Sequence, residues 1–284
     1  MKELRYIIAL CLVVFLTQDL SAQYRHGYFR VGVSTGSTNY LGDLDDDFTF
    51  RFTKAGIGLS GTYRFNPFMS ARLGFFQGYA RAADSVSSNV ARSRRNLSFR
   101  TQIREASAHI VFDFIPSDRS YAFRPLYTPY VFVGVGIFNF NPEAELNGRW
   151  FDLQPLGTEG QFLQGAGDEY PEPYQLTQVT IPLGAGVRIA LARKWDLEIE
   201  TGFRKTFTDY LDDVSGRYPD QEELRAQMGP VAAALSDRID RAQFPQGAAV
   251  VNGIRGDRTQ ADWYIYTNVR LNFIIDWVKC PQFR

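Results

Sequence analysis

Residues 53–65, Thr53-Lys54-Ala55-Gly56-Ile57-Gly58-Leu59-Ser60-Gly61-Thr62-Tyr63-Arg64-Phe65, set Ala55, Ile57, Leu59, Tyr63 and Phe65 against Lys54, Gly56, Gly58, Ser60, Thr62 and Arg64 at alternate positions. A period of two belongs to a β-strand with one greasy and one polar face. The pattern recurs, predicting strands over 28–37, 53–65, 68–80, 97–114, 127–140, 176–192, 195–208 and 262–275. The fourth changes phase near Arg104, which predicts a bulge, and Pro182 sits awkwardly inside the sixth.

The connectors alternate in length. Asn66-Pro67, 115–126 and Arg193-Lys194 are short, whereas 38–52, 81–96, 141–175 and 209–261 are long. Short turns on one side and long loops on the other are the habit of an outer-membrane barrel. The polar strand faces carry Gly, Ser, Thr, Arg and Glu, which would make a costly sandwich core but suit a barrel interior where charges pair. The predicted fold is all-β: an eight-stranded antiparallel transmembrane β-barrel whose last long loop contains short helices.

Composition and address agree. The chain of 284 residues is 45% hydrophobic, too apolar for disorder, and balances 31 basic against 31 acidic residues. That balance argues against nucleic acid as a partner. Lys2 and Arg5, the apolar run 6–16 and Leu20-Ser21-Ala22 read as a signal peptide over 1–22. Cys11 lies inside that run, so lipid attachment at a cleavage-site cysteine is not expected. Residues 23–284 then form the barrel, with 276–284 as a short tail, and outer-membrane lipid is the expected surroundings. An even strand number puts both termini on the short-turn side, expected to be periplasmic, with the long loops extracellular.

Eight strands leave an interior that side chains fill. The expected filling is Lys54, Arg64, Arg72, Arg188 and Arg204 against Glu105, Asp113, Glu198 and Glu200, with glycines such as Gly134 and Gly184 making room. A diffusion pore is therefore not expected. His109 shares a strand face with Glu105, Ser107 and Asp113, but neighbours on one strand do not make a catalytic triad. No metal-ligand spacing or phosphate-cradling loop occurs, so neither enzyme nor cofactor is expected. Two alternatives stand beside this reading: a small barrel enzyme acting on lipid or peptide through His109, and a surface adhesin using its long loops.

Within those loops, Leu224, Met228, Val231, Leu235 and Ile239 recur at helical spacing around Gly229-Pro230, predicting one or two short amphipathic helices over 221–241. The helices either cover the barrel mouth or dock a partner. Asp43 to Asp47 and Asp209 to Asp213 are acidic clusters, read as solvated loop charge with weak cation binding as the alternative. Arg255-Gly256-Asp257 spells an adhesion tripeptide but is expected to be a turn.

Asn39-Tyr40-Leu41-Gly42-Asp43-Leu44 after the first strand, Phe203-Arg204-Lys205-Thr206-Phe207-Thr208-Asp209-Tyr210-Leu211-Asp212-Asp213-Val214-Ser215 after the seventh, Asp262-Trp263-Tyr264 and the closing Lys279-Cys280-Pro281-Gln282-Phe283 are distinctive together. In these stretches the chain resembles the PorG-like outer-membrane barrels of Bacteroidetes, a component of type IX secretion. The resemblance implies a non-enzymatic role tying the periplasmic ring of the secretion and gliding machinery, a lipoprotein and its partner subunit, to the outer membrane. It marks Asn39, Tyr40, Gly42, Asp43, Thr208, Asp209, Tyr210, Asp212 and Asp213 as motif residues of the loops. Cys280, the sole cysteine after cleavage, stands in an oxidising compartment, so an intermolecular disulfide and an idle thiol both stay open. Cys280, Pro281 and Phe283 are the expected partner contacts.

Overall fold

The computed structural model describes residues 27–45, 52–117, 120–164, 170–239 and 253–275. The predicted signal peptide and the tail bearing Cys280, Pro281 and Phe283 lie outside them. Nine strands are described: β1 Tyr28–Leu41, β2 Lys54–Arg64, β3 Met69–Ala83, β4 Ser98–Asp113, β5 Tyr127–Leu146, β6 Arg149–Asp152, β7 Thr177–Ala192, β8 Trp195–Thr206 and β9 Trp263–Ile275. Each of the eight long strands pairs antiparallel with its neighbours. The β1–β9 and β4–β5 pairings close the sheet, and β6 is a four-residue hairpin partner on the end of β5. Closure leaves no sheet edge in the wall. The eight-stranded antiparallel barrel is thus as expected.

The strand faces are segregated. On β5, Val131, Val133, Val135 and Ile137 point outward, the last 60% exposed, while Tyr130, Phe132 and Phe138 are buried inside. On β8, Asp196, Glu198, Glu200 and Arg204 are inside, with Ile199 and Phe203 outside. A barrel with charges within and exposed aliphatics around its waist is stable only where those aliphatics meet lipid. At the short-turn end the belt is rimmed by Phe65, Phe68, Phe112, Phe114, Tyr127 and Trp195, all more than a third exposed. Aromatic rings favour that depth, where an apolar body meets a wet headgroup layer.

Three details differ from the sequence expectation. The β3–β4 and β4–β5 ladders run in unbroken register through Arg104, so no bulge stands there. The phase change arises because the surroundings invert. Ala106, Ala108, Ile110 and Phe112 face out around the waist, whereas beyond Arg104 the apolar Ile103 and Phe99 face inward and Arg104, Gln102 and Arg100 face out. The strands continue past the lipid belt into a region with an apolar interior, which is also why β1, β3 and β5 outrun their predicted ends. Asn39 and Tyr40 therefore lie on a strand rather than in a loop. Lys54 is exposed at the β2 rim and not in the lumen. The one register shift described lies between Ala190 and Ala192, opposite β8.

Pro182 faces inward and is in register with Arg204. On its other side the β5–β7 ladder keeps register but skips the positions around Gly134, where an N–H from residue 182 would have bonded. Gly134 also permits close strand approach, since a Cβ there would run into the Ala108 carbonyl and the His109 ring.

Above the waist, Phe76, Ala80, Phe99, Ile103, Phe138 and Phe140 form an apolar plug with Leu211 and Leu235 from the last long loop. The two helices expected there are present, after an unpredicted α1, Val90–Arg95, in the β3–β4 loop: α2 is Gln221–Met228 and α3 is Pro230–Ser236. The Asp220 side chain caps α2 by accepting from the Glu222 and Glu223 amides at 2.8 and 3.0 Å. Gly229-Pro230 breaks the pair as anticipated. Leu224, Ala232 and Ala233 pack together with Leu156 and Leu163, so these helices cover their own barrel.

Candidate functional site

Two constellations of charge stand out, one inside the waist and one in the cap above it. In the lumen, Glu198 and Glu200 on β8 gather arginines from four strands. Glu198 accepts from Arg188 Nε at 2.7 Å, Arg270 Nη1 at 2.9 Å, Arg30 Nη1 at 3.2 Å and Arg72 Nη2 at 3.3 Å. Glu200 accepts from Arg72 at 2.5 Å and from the Tyr130 hydroxyl at 2.9 Å. Asp113 joins Arg64 and Arg188 at 2.6 and 2.9 Å, and Arg204 meets Glu105 at 3.3 Å. Six arginines (30, 64, 72, 188, 204 and 270) are thus opposed by five carboxylates (105, 113, 196, 198 and 200), all at least nine-tenths buried. Every lumen charge expected from the sequence apart from Lys54 is in this network. Arg30, Asp196 and Arg270 were missed, although they occupy the same alternating polar faces.

Guanidiniums from β1, β3, β7 and β9 converge on the β8 carboxylates, so ion pairs cross the lumen at the waist. His109 belongs to this wall. It is 7% exposed and packs edge-on to Phe132 at 5.3 Å, and neither ring nitrogen has a hydrogen-bond partner. A general base must hold its proton acceptor toward a substrate, and this ring is enclosed by the lumen wall instead.

The cap brings the motif residues together. Tyr40, at the end of β1, reaches Asp212 Oδ2 and Asp262 Oδ1, each at 2.7 Å. A phenol has one proton to donate, so the second contact needs a proton on one of the two carboxyls. Burial drives both Asp212 and Asp262 well above the usual carboxylate range, helped by Asp43 near Asp212 and by Asp212 near Asp262. Gly42 sits so close that a Cβ would strike the Tyr40 hydroxyl and Asp262. Asp43 accepts the Asp257 amide at 2.9 Å, Asn39 donates to Thr53 at 2.8 Å, and the Thr208 carbonyl accepts the Asp262 amide at 3.0 Å.

One layer further, Arg255 (2% exposed) donates to Glu159 at 3.0 Å and to Asp213 at 3.5 Å. Glu159 in turn accepts the Ser215 and Gly216 amides, both at 2.9 Å. Tyr210 stacks on Tyr174 at 4.5 Å and donates to Glu159 at 3.3 Å, and Tyr174 donates to Asp213 at 2.7 Å. The Arg255-Gly256-Asp257 tripeptide is thus a structural corner whose guanidinium is unavailable to a receptor. Asp43, Asp212 and Asp213 belong to a buried lattice rather than to solvated loop charge, which corrects the sequence expectation. Among the described residues no three His, Cys, Asp or Glu are placed to hold a metal ion. Sequence reasoning missed Glu159, which sits in the β5–β7 loop without any repeating pattern around it.

This lattice has a pH signature. Burial raises Asp213 to about 6 and Asp209 to about 9, and neighbouring Asp212 and Asp43 add to the latter. Groups whose folded pKa is raised bind protons more tightly in the native cap than in the unfolded chain. Their stabilisation is complete below the ordinary carboxyl range and is lost as pH rises through the folded values. Amide exchange of residues 209–218, corrected for intrinsic rate, is therefore expected to speed up between about pH 4 and pH 9, Asp213 contributing up to about 3 kcal/mol of that loss between about pH 4 and pH 6. Protection that is flat or grows with pH would contradict this assignment.

A closed barrel with a greasy waist, an ion-paired lumen and an ordered cap defines a plugged, outer-membrane-type β-barrel. Residues 3–151 match the family described as a domain of unknown function, DUF6089, and the chain belongs to that family. No curated protein matches it. Among solved structures it is similar to Neisserial surface protein A, at 9% identity over 86% of this chain and 96% of the other, with a TM-score of 0.42. It is also similar to Ail, the attachment invasion locus protein of Yersinia pestis (9%, 88% and 99%, 0.41), and to OprG from Pseudomonas aeruginosa (10%, 87% and 95%, 0.36).

Proposed function

We propose that this chain is a non-enzymatic outer-membrane barrel that anchors or assembles the periplasmic ring of a type IX secretion and gliding apparatus. Its long loops would face the cell exterior and its termini the periplasm. The observation that carries this reading is the lumen crossed by the Glu198–Glu200 network. A barrel whose waist is crossed by ion pairs, wrapped in outward-facing aliphatics, serves as a fixed point in the membrane, and its work falls to the faces it presents on either side. Tyr40, Asp212 and Asp262, from three separate stretches singled out in the sequence, meet in the cap. Residues far apart in the chain meet in one buried lattice, as shared architectural motifs do.

The reading is tested by purifying the tagged protein in detergent from its own cells. The ring lipoprotein and its partner subunit are expected to co-purify, and their absence under mild cross-linking would overturn the assignment. On non-reducing gels, Cys280→Ser is expected to remove a reducible adduct if the tail is disulfide-linked to the ring. His109→Ala is expected to leave secretion intact; loss of secretion with a folded barrel would favour the enzyme reading.

A further inference from the structure

On the outer wall of β3 and β4 the lipid-facing surface ends abruptly. Leu73 and Phe75 on β3 and Ala108 and Ala106 on β4 give way to Gln77, Tyr79 and Arg81 and to Arg104, Gln102 and Arg100 on the same outward faces. Arg81 and Arg100 are direct cross-strand partners. Like charges placed opposite each other on a sheet are destabilising unless something neutralises them. Arg100 is served by Glu143 at 2.7 Å, and its guanidinium lies 3.5 Å over the Trp150 ring. Arg81 has no ion pair among the described residues; it lines a cavity of about 230 Å³ with Ser98, Glu145, Trp150 and Arg238. Arg238 donates to Ser98 at 2.8 Å, and Glu145 is the one carboxylate in that wall. Two guanidiniums thus share a pocket with a single carboxylate, and Arg149 is exposed next to the lining Trp150.

We propose that this pocket takes the phosphate of a lipid headgroup from the leaflet around the long-loop end of the barrel. The assignment rests on the membrane reading given above. Height favours it. Arg81 lies six residues beyond Phe75, about 20 Å along the strand, which a tilt of about 40° reduces to about 15 Å. Tyr79 occupies the level between. Arginine stems run back along such a wall toward the apolar edge, so the cluster overhangs a headgroup layer, and the tall, phosphorylated headgroup of a glycolipid fits best. Guanidiniums bind phosphate oxygens in paired, charge-assisted hydrogen bonds, and a lipid tethered below presents its phosphate to the pocket without a further search.

The test uses the full mature chain refolded in detergent and native mass spectrometry with two probes, diphosphorylated lipid A and the same lipid after phosphate removal. Wild type is expected to retain the phosphorylated probe about tenfold better. The double variant Arg81→Gln/Arg238→Gln, its folding checked by heat-modifiable gel migration, is expected to lose that preference, and Arg104→Gln to keep most of it. Equal retention of both probes, or a preference untouched in the double variant, would overturn the site. Displacement of the lipid by inorganic phosphate at equal concentration would make it a general anion site and overturn the lipid assignment. Labelling of Glu222→Cys on intact cells, in a Cys280→Ser background, reports orientation independently. A buried label with intact phosphate preference would overturn the topology of the proposed function and leave the pocket standing.

Discussion

Glu198→Gln is expected to destabilise the barrel by about 3–5 kcal/mol, the range for removing one member of a buried ion-pair network. Glu198 lies within 3.3 Å of guanidinium nitrogens from Arg30, Arg72, Arg188 and Arg270, and it is 1% exposed. The amide keeps the shape and loses the charge, so the six arginines of the lumen would face four carboxylates. These side chains are almost fully buried, so solvent screens the excess far less than at a surface, which is why the cost is above that of a surface pair. Urea titration in micelles, read by gel migration of the folded form, measures it. Adding Arg188→Met to Glu198→Gln should recover part of the loss, because the second change removes one of the excess positive charges while Asp113 keeps Arg64. A single variant as stable as wild type would show that the network is solvated and that the lumen is an aqueous path.

Arg255→Met is expected to unlatch the cap while leaving the waist closed. Arg255 holds Glu159 from the β5–β7 loop and Asp213 from the β8–β9 loop, and its Nε points to the Ser236 carbonyl at the end of α3 at 3.4 Å. Methionine keeps the apolar stem and leaves two buried carboxylates without their cation, a local cost of about 3–5 kcal/mol. Glu159 would still hold the Ser215 and Gly216 amides, so loosening should begin at Asp213 and spread to the helices. Proteinase K is expected to cut the variant within 209–239 under conditions where wild type resists there, with the strands still protected. Cleavage at the same rate in both proteins would show that the latch contributes nothing to the order of the cap.

The two predictions separate two modules stacked on one axis. The waist is stabilised by charge enclosed in lipid, and the cap by apolar packing beneath a carboxylate lattice. The raised carboxyls of the cap make it firmest in acid and weakest toward alkaline pH.

What the sequence determined by itself was whatever repeats along the chain. The eight zigzag segments, the alternation of short turns and long loops, and the break at Gly229-Pro230 were legible because side-chain period and turn chemistry are local properties. Most of the lumen charges were legible too, since they occupy the face opposite the aliphatics. The phase change at Arg104 was visible but misread, because a period of two cannot say which face meets lipid once a strand leaves the membrane. Only the tertiary structure decided that the strands continue upward with an apolar interior, as Phe99 and Ile103 show. It alone decided that Tyr40, Asp212 and Asp262 meet around one proton, and that the Arg255 corner is buried rather than offered to a receptor. Those contacts join residues as much as 222 positions apart, and no local rule encodes such a meeting. It is set by the closure of β1 on β9, which pairs the end of β1 with the start of β9 at the cap rim.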